Sequence, residues 1–436
     1  DEAYALPTEI WRETVARRQR SEEVRLRLTK GEVRNINDLI TYNLDIQQFA
    51  QDVIESSEGP ELVRAFWKTL VDIKVLDPTC GSGAFLFAAL NILEPLYEAC
   101  LDRMQSFVDE LDAAIAQGEK HHPEKYGDFR RLLNQVAHHP NRSYFIFKSI
   151  IVQNLYGVDI MEEAVEICKL RLFLKLIAQV DGVEKIEPLP DIDFNVRAGN
   201  TLIGFTTREE VRRALTSQGQ QGTFELFGEG DAADRVEEQA ELADKAFRRF
   251  RQMQTEDEMD LGLFSEAKRE LRERLSKLND ELNLALAIRY LSAPVRDNDY
   301  AAWLKAYQPF HWFVDFYGIM NTGGFDVIIG NPPYVVYSPA KVGYTIQSSD
   351  FSTFDCGNLY AYVFERSLNI AKKDGFVSLI VQLTILSSER MKSLQDLLLK
   401  RGKLYITSFP RRPESVFDGV EMPVAILIST SAHAKL

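Results

Sequence analysis

The chain has 436 residues, of which 45% are hydrophobic, and a formal net charge of −14. This length accommodates two or three globular domains, and we find neither an apolar run long enough to span a bilayer nor a signal peptide at the start. Four scattered cysteines without CxxC spacing argue against a zinc site and a disulfide framework, and they favour a reducing cytoplasm.

The chain begins with a predicted helical region over residues 1–72, because apolar side chains recur there at helical spacings among charged ones. Arg12–Arg34 contains eight Lys or Arg residues against four Glu. A second basic group comprises Arg401, Lys403, Arg411 and Arg412. The acidic total charge disfavours a polyanionic partner, but such binding depends on a local basic face. Each group is either such a face or an ordinary solvated surface.

A short strand, a glycine turn and an apolar helix are predicted over Lys74–Leu90. Gly81 and Gly83 allow the backbone to approach a ligand closely, and the helix N-terminus presents free N–H groups. The turn lacks the Lys-Ser/Thr pair of a P-loop and the full dinucleotide fingerprint. Asp77 and Pro78, which precede the glycines, instead suit a ligand with a cationic amino-acid group.

A polar helical insertion is predicted over residues 100–148, and its adjacent histidine pairs lack the spacing of metal ligands, so we predict no metal site. Ile150–Ile160 then predicts a second parallel strand that ends at Asp159. An acid in that place typically binds ribose hydroxyls. A helix over Glu162–Val180 and a third strand over Asp193–Leu202 follow, with Asn200 at the strand's end.

Residues 206–300 interrupt the alternation of strands and helices. Loops are predicted at 217–222 and 228–230, and charged helices at 232–256 and 264–290, joined by a turn near Met259–Leu263. Asp260, Glu266 and Lys268 weakly resemble the metal site of a nuclease. They lie on a predicted helix rather than on paired strands, which argues against a nuclease.

The stretch Phe325–Tyr334 predicts a buried strand that ends in a rigid polar turn. Pro332 and Pro333 cannot donate an N–H, so the backbone of the turn offers mainly carbonyl oxygens. The Asn331 side chain adds another oxygen and an amide donor. Oxygens aimed at one point can hold an exocyclic NH2 group, and Tyr334 can stack on the ring that carries it. The turn is either a receptor for a nucleobase or an ordinary strand-to-loop connection.

Alternation then resumes, with helices predicted at Leu359–Ala371 and Glu389–Arg401. Strands are predicted at 375–381, 404–407 and 424–428. The whole pattern indicates an α/β fold with a doubly wound, mostly parallel sheet and helical insertions. We divide it into a helical N-terminal region (1–72), a first half of the core (73–205), a helical insertion (206–300) and a second half of the core (301–436).

With these motifs placed, the chain resembles the S-adenosylmethionine-dependent N6-adenine DNA methyltransferases, which have a Rossmann-like class I fold. It is most similar to those of type IIG restriction–modification and of phage-defence systems of the BREX and DISARM kinds. The motifs that carry the resemblance are Asp77–Phe85, Tyr156–Ile160, Gly199–Leu202 and Asn331–Tyr334, with Gly357–Tyr360 and Phe417–Val420 also similar.

The resemblance implies methyl transfer from S-adenosylmethionine to the N6 amine of an adenine flipped out of double-stranded DNA. The cofactor-binding residues it implies are Asp77, Pro78, Thr79, Cys80, Gly81, Gly83, Ala84, Phe85, Asp159, Ile160 and Asn200. Asn331, Pro332, Pro333 and Tyr334 would hold the target base. Asn200 stands where the family often has Asp, so its contact with the cofactor's adenine amine is neutral rather than charged.

Two departures from the family pattern affect these expectations. The Phe/Tyr-x-Thr-Pro stretch that usually precedes the first strand is represented only by Leu39–Leu44, without the proline. The target-recognition region would follow the last core strand, so we expect it outside this chain or on another subunit. Two alternatives stay open. The acceptor could be another planar amine, on an RNA base or a protein glutamine, or the chain could be a cofactor-binding scaffold that transfers nothing.

Overall fold

The computed structural model describes residues 10–34, 36–118, 123–180, 182, 187–219, 232–254, 261–291, 296–410, 416–417 and 422–431. Seven strands form one sheet in the order β3-β2-β1-β4-β5-β7-β6. The strands are β1 Val75–Asp77, β2 Leu155–Asp159, β3 Val196–Ala198, β4 Phe325–Gly330, β5 Ala371–Gln382, β6 Gly402–Phe409 and β7 Val424–Ser431. The predicted α/β class is confirmed.

Strand β1 lies at the centre of the sheet and pairs in parallel with β2 and with β4. The pairs β2–β3 and β4–β5 are also parallel, whereas β7 runs antiparallel between β5 and β6. Because β1 to β5 point in one direction, their carboxyl ends meet at one edge of the sheet. Asp77, Asp159, Ala198 and Gly330 therefore end neighbouring strands at the same edge.

Helices surround this sheet in chain order. They are α1 Trp11–Thr29, α2 Ile36–Thr41, α3 Ile46–Glu55, α4 Pro60–Asp72, α5 Ala84–Ala116, α6 Gly127–His138, α7 Arg142–Gln153, α8 Glu162–Ile177, α9 Arg208–Gly219, α10 Ala232–Met253, α11 Leu261–Leu291, α12 Asp297–Tyr307, α13 Trp312–Asp315, α14 Tyr317–Asn321, α15 Pro339–Val342, α16 Leu359–Ile370 and α17 Lys392–Arg401.

Side chains that alternate along the strands enter two separate hydrophobic cores. Leu76 and Tyr156 belong to a core built with α10, α11 and α16. Val75 and Leu155 belong to the other core, which is built with α5, α7 and α8. This division follows from strand geometry, because successive side chains point to opposite faces of a sheet. Both faces of the central strands are consequently buried, as their apolar sequences predict.

The predicted strand over Ile150–Ile160 was wrong at its beginning, because α7 continues to Gln153 and β2 starts at Leu155. The Asn141 side chain caps α7 by accepting a hydrogen bond from the Tyr144 N–H. Nearly every residue from Tyr144 to Val152 is buried. A helix buried on all sides carries a continuous apolar run, which sequence periodicity cannot distinguish from a buried strand.

The insertion after β3 is helical, as predicted, and α10 packs against α11 with Phe250 and Phe264 stacked at 4.8 Å between ring centroids. Two predicted loops were placed inaccurately. Residues 217–219 belong to α9, and Leu261 already begins α11. The remaining parts of these two loops, and residues 228–230, lie outside the described residues.

Helix α5 corrects the statement that no apolar run could span a bilayer, since by length and composition alone it could. It is the one such candidate in the part of the chain that the structure describes. Twelve of its side chains between Leu86 and Leu111 are buried in the protein core, where the helix packs against α3, α4 and α7, whereas Ile92 is exposed. Burial within the protein accounts for its composition, because a core helix needs the same apolar side chains.

Candidate active site at the carboxyl edge of the sheet

The glycine turn after β1 has the backbone geometry that its sequence predicts. Gly81 and Gly83 have φ values of +50° and +85°, which disfavour any side chain. A Cβ at Gly83 would lie 2.5 Å from the Cys168 Sγ, whereas a Cβ at Gly81 would meet nothing within 4 Å. Gly83 also begins α5 without a side-chain cap. The turn therefore favours glycine at both positions and leaves open space beside Gly81.

Asp77 is a buried carboxyl group at the end of β1, with 1% of its surface exposed. Burial raises its pKa to about 7, although the hydrogen bond that its Oδ1 accepts from the Thr79 N–H opposes the shift. Among the described residues, the one charge that shifts this pKa is the Asp159 carboxylate, which raises it further. A buried acid without a neighbouring cation is suited to bind a cationic ligand.

Asp159 ends β2 and supports the glycine turn. Its two carboxylate oxygens accept hydrogen bonds from the Gly81 N–H at 2.8 Å and from the Met161 N–H at 2.9 Å. The next side chain, Ile160, is 36% exposed beside it. Asp159 thus has a structural role that its sequence position did not reveal. Binding of ribose hydroxyls by Asp159 stays a prediction.

Asn200 follows β3 and is almost completely buried. Its Oδ1 accepts a hydrogen bond from the Leu202 N–H at 3.1 Å, and its own N–H donates to the Gln308 carbonyl at 2.7 Å. Among the described residues, its amide nitrogen makes no hydrogen bond of ordinary geometry. It lies near the Tyr344 hydroxyl, whose pKa burial raises and Asn200 partly lowers. The amide nitrogen has two N–H groups and Tyr344 can accept only one of them, which leaves a donor for a ligand.

The turn Asn331–Tyr334 lies beside the glycine turn because β1 and β4 are adjacent strands. A Cβ at Gly330 would lie 2.7 Å from the Asp77 Oδ1, so only glycine allows the two strand ends to approach this closely. The residue after Gly330 is Asn331. Residues 77 and 331, which are 254 positions apart in the sequence, therefore border the same site.

The Asn331 Oδ1 is buried, and within the described residues it has no hydrogen-bond partner. Pro332 is buried and Pro333 is exposed. Since buried polar atoms are nearly always hydrogen-bonded, an amide oxygen left without a donor at the end of a strand marks a place for a ligand's donor.

Tyr334 is held in a fixed orientation by the second half of the chain. Its hydroxyl donates to the Ile380 carbonyl at 3.0 Å, and its ring packs edge-on against Tyr360, with 6.1 Å between centroids. Burial is the main cause that raises the pKa of the Tyr334 phenol. The ring is only partly buried, so part of its surface stays available for stacking.

The segment after this turn pairs with Gly357–Tyr360, another stretch in which the sequence resembles the methyltransferases. The Leu359 N–H donates to the Val335 carbonyl at 2.9 Å, and the Tyr337 N–H donates to the Gly357 carbonyl at 3.0 Å. The Asn358 side chain caps α16 by accepting a hydrogen bond from the Tyr360 N–H. Such a cap satisfies a backbone donor that has no partner within the helix.

Two residues that sequence reasoning missed connect the halves of the site. The Thr201 hydroxyl donates to the Pro78 carbonyl, which joins the β3 turn to the glycine turn. Arg366 on α16 donates from its Nη2 to the Leu202 carbonyl at 2.9 Å. Thr201 lies within the Gly199–Leu202 motif and could have been suspected. Nothing local in the sequence distinguishes Arg366 from a surface arginine.

Comparison with known proteins agrees with this arrangement. Residues 153–417 match the family model described as Eco57I restriction-modification methylase. The chain belongs to this family. Residues 52–187 also match the DNA-methyltransferase domain of MmeI. The two matches together include the glycine turn, the acid at Asp159 and the Asn331–Tyr334 turn, so the predicted resemblance to restriction–modification methylases is confirmed.

A curated relative of this Eco57I-family chain is the putative type II restriction enzyme and methyltransferase RM.MjaORFECS2P of Methanocaldococcus jannaschii, which is 27% identical over 431 residues. The alignment covers 90% of this chain and 32% of the relative, so the chain spans about a third of that relative's length. Among solved structures, a nuclease-deletion mutant of the Type ISP enzyme LlaGI with a DNA substrate mimic is 13% identical, with a TM-score of 0.35, over 89% of this chain and 23% of its own. The DrdV–DNA complex is 12% identical, with a TM-score of 0.35, and the match covers 89% of this chain and 26% of the DrdV chain.

Proposed function

We propose that this chain transfers a methyl group from S-adenosylmethionine to the N6 amine of an adenine in double-stranded DNA. The observation that carries the proposal is the contact between the ends of β1 and β4. Asp77, at the end of β1, is a buried acid whose pKa no cation of the described residues shifts. Gly330 lies against its carboxylate and precedes Asn331, whose buried amide oxygen has no hydrogen-bond partner among the described residues. The strand order 3-2-1-4-5-7-6 with an antiparallel seventh strand supports a Rossmann-like, doubly wound methyltransferase core.

The residues at the first half of the site fit S-adenosylmethionine. Asp77 meets the ligand's cationic amino group, and the open backbone above Gly81 leaves room for its methionine part. Asp159 and Ile160 lie at the end of β2 for the ribose and the adenine ring, and Asn200 offers an amide nitrogen. Bound S-adenosylmethionine supplies a methyl group that its sulfonium has already activated.

The second half of the site holds the acceptor amine. The Asn331 Oδ1 and the Pro332 carbonyl accept hydrogen bonds from the two N–H groups of the adenine N6. Pro332 has no N–H of its own, so no backbone donor competes for these oxygens. The acceptors fix the amine's orientation and favour the positive charge that develops on it during attack. No strong general base is needed for this role.

Tyr334 stacks on the adenine ring, which has to leave the duplex before its amine can be reached. The hydrogen bond from the Tyr334 hydroxyl to Ile380 and the edge-on contact with Tyr360 hold the ring in place before the base arrives. Because the ring is already oriented, base binding costs little side-chain entropy.

The test is transfer of tritiated methyl from S-adenosylmethionine to duplex DNA, followed by chromatography of the released nucleosides. We expect the label in N6-methyl-2′-deoxyadenosine. RNA and protein acceptors are assayed in parallel, since an RNA base or a protein glutamine also presents a planar amine. Label in either of these and none in adenine would overturn the proposal. Cofactor binding without transfer to any acceptor would instead indicate a scaffold role.

We further propose that this activity belongs to a restriction–modification or phage-defence system of the cytoplasm, which the match to the Eco57I restriction-modification methylase family supports. Selection of the DNA sequence is supplied by a target-recognition region or another subunit, since the motifs described here bind a cofactor and one base. The assay therefore uses the chain together with its genomic neighbours, and the DNA includes random sequence contexts.

Two substitutions of Tyr334 distinguish the contribution of its ring to methyl transfer from that of its hydroxyl. Tyr334→Phe keeps the stacking surface and loses one hydrogen bond, worth about 1 kcal/mol, so we expect a modest loss of methyl transfer. Tyr334→Ala removes the stacking surface, worth about 1–3 kcal/mol per base, and we expect a roughly 10- to 100-fold higher KM for DNA. The KM for S-adenosylmethionine should stay unchanged, and equal effects of the two substitutions would contradict the stacking role.

A further inference from the structure

A cavity lies at the opposite edge of the sheet from Asp77 and Asn331. It has a volume of about 430 Å³ and is lined by α10, α11, α14 and the amino ends of central strands. Lys74 immediately precedes β1, Lys372 lies at the start of β5, and Arg251 projects from α10. The charged residues that line the cavity are the cations Lys74, Arg248, Arg251 and Lys372 and the acids Asp72, Asp244 and Asp315.

Two of these cations donate hydrogen bonds to uncharged groups. The Lys74 Nζ donates to the Val71 carbonyl, and the Arg251 Nη1 donates to the Tyr156 hydroxyl. Within the described part of the chain, neither forms an ion pair within 4.0 Å. By contrast, the lining residue Arg248 pairs with Asp244, and Lys372 pairs with Asp326. The cavity consequently presents two cations with unused donors.

Lys74 is a buried ammonium with both cations and acids around it. Its pKa is lowered to about 7, mainly by burial and also by the Arg251 and Lys372 charges. Asp72 on α4 and Asp326 on β4 act in the opposite direction but do not compensate. An anion in the cavity would remove this repulsion and stabilise the protonated ammonium.

One wall of the cavity is aromatic and lies close to these cations. Phe194, Phe247 and Phe316 line it, and the Arg251 guanidinium lies 5.5 Å from the centre of the Phe247 ring. Arginine and lysine beside aromatic rings offer both charge-assisted hydrogen bonds for phosphate oxygens and a surface for a planar ring.

We propose that this cavity binds a phosphoryl-bearing anion, either free phosphate or the phosphate of a nucleotide, through Lys74 and Arg251. The site is separate from the one that transfers methyl groups, and it does not depend on the proposed function. Because it lies between the insertion α10–α11 and the sheet, an occupied cavity stabilises the packing of the insertion on the core.

The test is thermal unfolding and titration calorimetry of the complete chain with sodium phosphate, AMP and ATP, against sodium chloride of equal ionic strength. We expect phosphate compounds to raise the Tm in a saturable manner, because a ligand that binds only the folded state stabilises it. Tighter binding of the nucleotides identifies a nucleotide as the source, and equal or tighter binding of phosphate identifies the free ion. No saturable effect of any of them overturns the proposal.

Substitutions decide whether the response arises in this cavity. Lys74→Met removes a buried ammonium, so the variant should fold at least as well as the wild type, while its affinity for phosphate falls roughly 10- to 100-fold, the loss expected for a charged hydrogen bond. Arg251→Gln should weaken binding similarly. Arg249→Gln, an exposed change on the same helix, and Lys68→Met, exposed on α4, are the matched controls. An unaltered affinity in Lys74→Met overturns the proposal even if phosphate binds.

Proton uptake on anion binding provides a measurement that a purely structural role of Lys74 would not affect. Because burial lowers the pKa of Lys74 to about 7, anion binding near neutral pH should take up protons, and the measured heat should depend on the buffer. This dependence should vanish in Lys74→Met. Nucleotide binding at the cofactor site would leave it unchanged, which distinguishes the two sites.

Discussion

Asn331→Ala is expected to lower methyl transfer to DNA by about 10²- to 10³-fold, the range for removal of one preorganised hydrogen-bonding group that acts in the transition state. The loss should appear in kcat, because the acceptor oxygen aligns the amine and favours its developing charge. Asn331→Asp keeps an oxygen in place and should retain more activity than the alanine variant. Steady-state transfer of tritiated methyl to a DNA of fixed sequence measures both.

The matched control for Asn331→Ala is Asn369→Ala, which makes the same chemical change at an exposed position on α16. Its activity should equal that of the wild type. Binding of S-adenosylmethionine should also be unaffected in Asn331→Ala, since the residue faces the acceptor half. If cofactor affinity fell together with kcat, the separation into donor and acceptor halves would be wrong.

Asp77→Asn is expected to weaken binding of S-adenosylmethionine by roughly 10- to 100-fold, the effect of removing a charged hydrogen-bond partner. The wild type should show a distinctive pH dependence. Its Asp77 has a pKa of about 7 without ligand, and only the ionised form attracts a cation. Affinity should therefore rise up to tenfold per pH unit between pH 5.5 and 7. Titration calorimetry at several pH values tests this, and Asp77→Asn should abolish the slope.

Loss of binding in Asp77→Asn should not result from unfolding. The folded protein raises the pKa of this carboxyl from 3.8 to about 7, so the cofactor-free protein loses stability from this group as the pH rises through that interval. At pH 8 the neutral asparagine avoids the buried charge and should increase the free energy of unfolding by up to about 4 kcal/mol. Asp109→Asn, an exposed change on α5, should alter neither stability nor binding; a less stable Asp77→Asn would contradict this account.

Local sequence was sufficient to predict the elements that form the site. Glycine and proline determine the backbone conformation of both turns. Gly81 and Gly83 do so in the strand–turn–helix at Lys74–Leu90, and Pro332 and Pro333 do so after the strand in Phe325–Tyr334. These preferences act over a few residues, and the structure agrees with them. The prediction failed at Ile150–Gln153 because burial on all sides removes the periodicity that distinguishes a helix from a strand.

Only the tertiary structure decided which of these elements meet. The parallel order places β4 beside β1, and Gly330, the residue before Asn331, then lies against Asp77 across 253 positions of sequence. The contacts of Asp159 with Gly81 and of Arg366 with Leu202 are equally long-range.

The sequence by itself therefore determined the family, the motifs and the chemistry each motif can perform. The fold determined the raised pKa of Asp77, the unpaired oxygen of Asn331 and the cavity around Lys74. These last properties depend on burial and on neighbours distant in sequence, and neither is encoded in any local pattern.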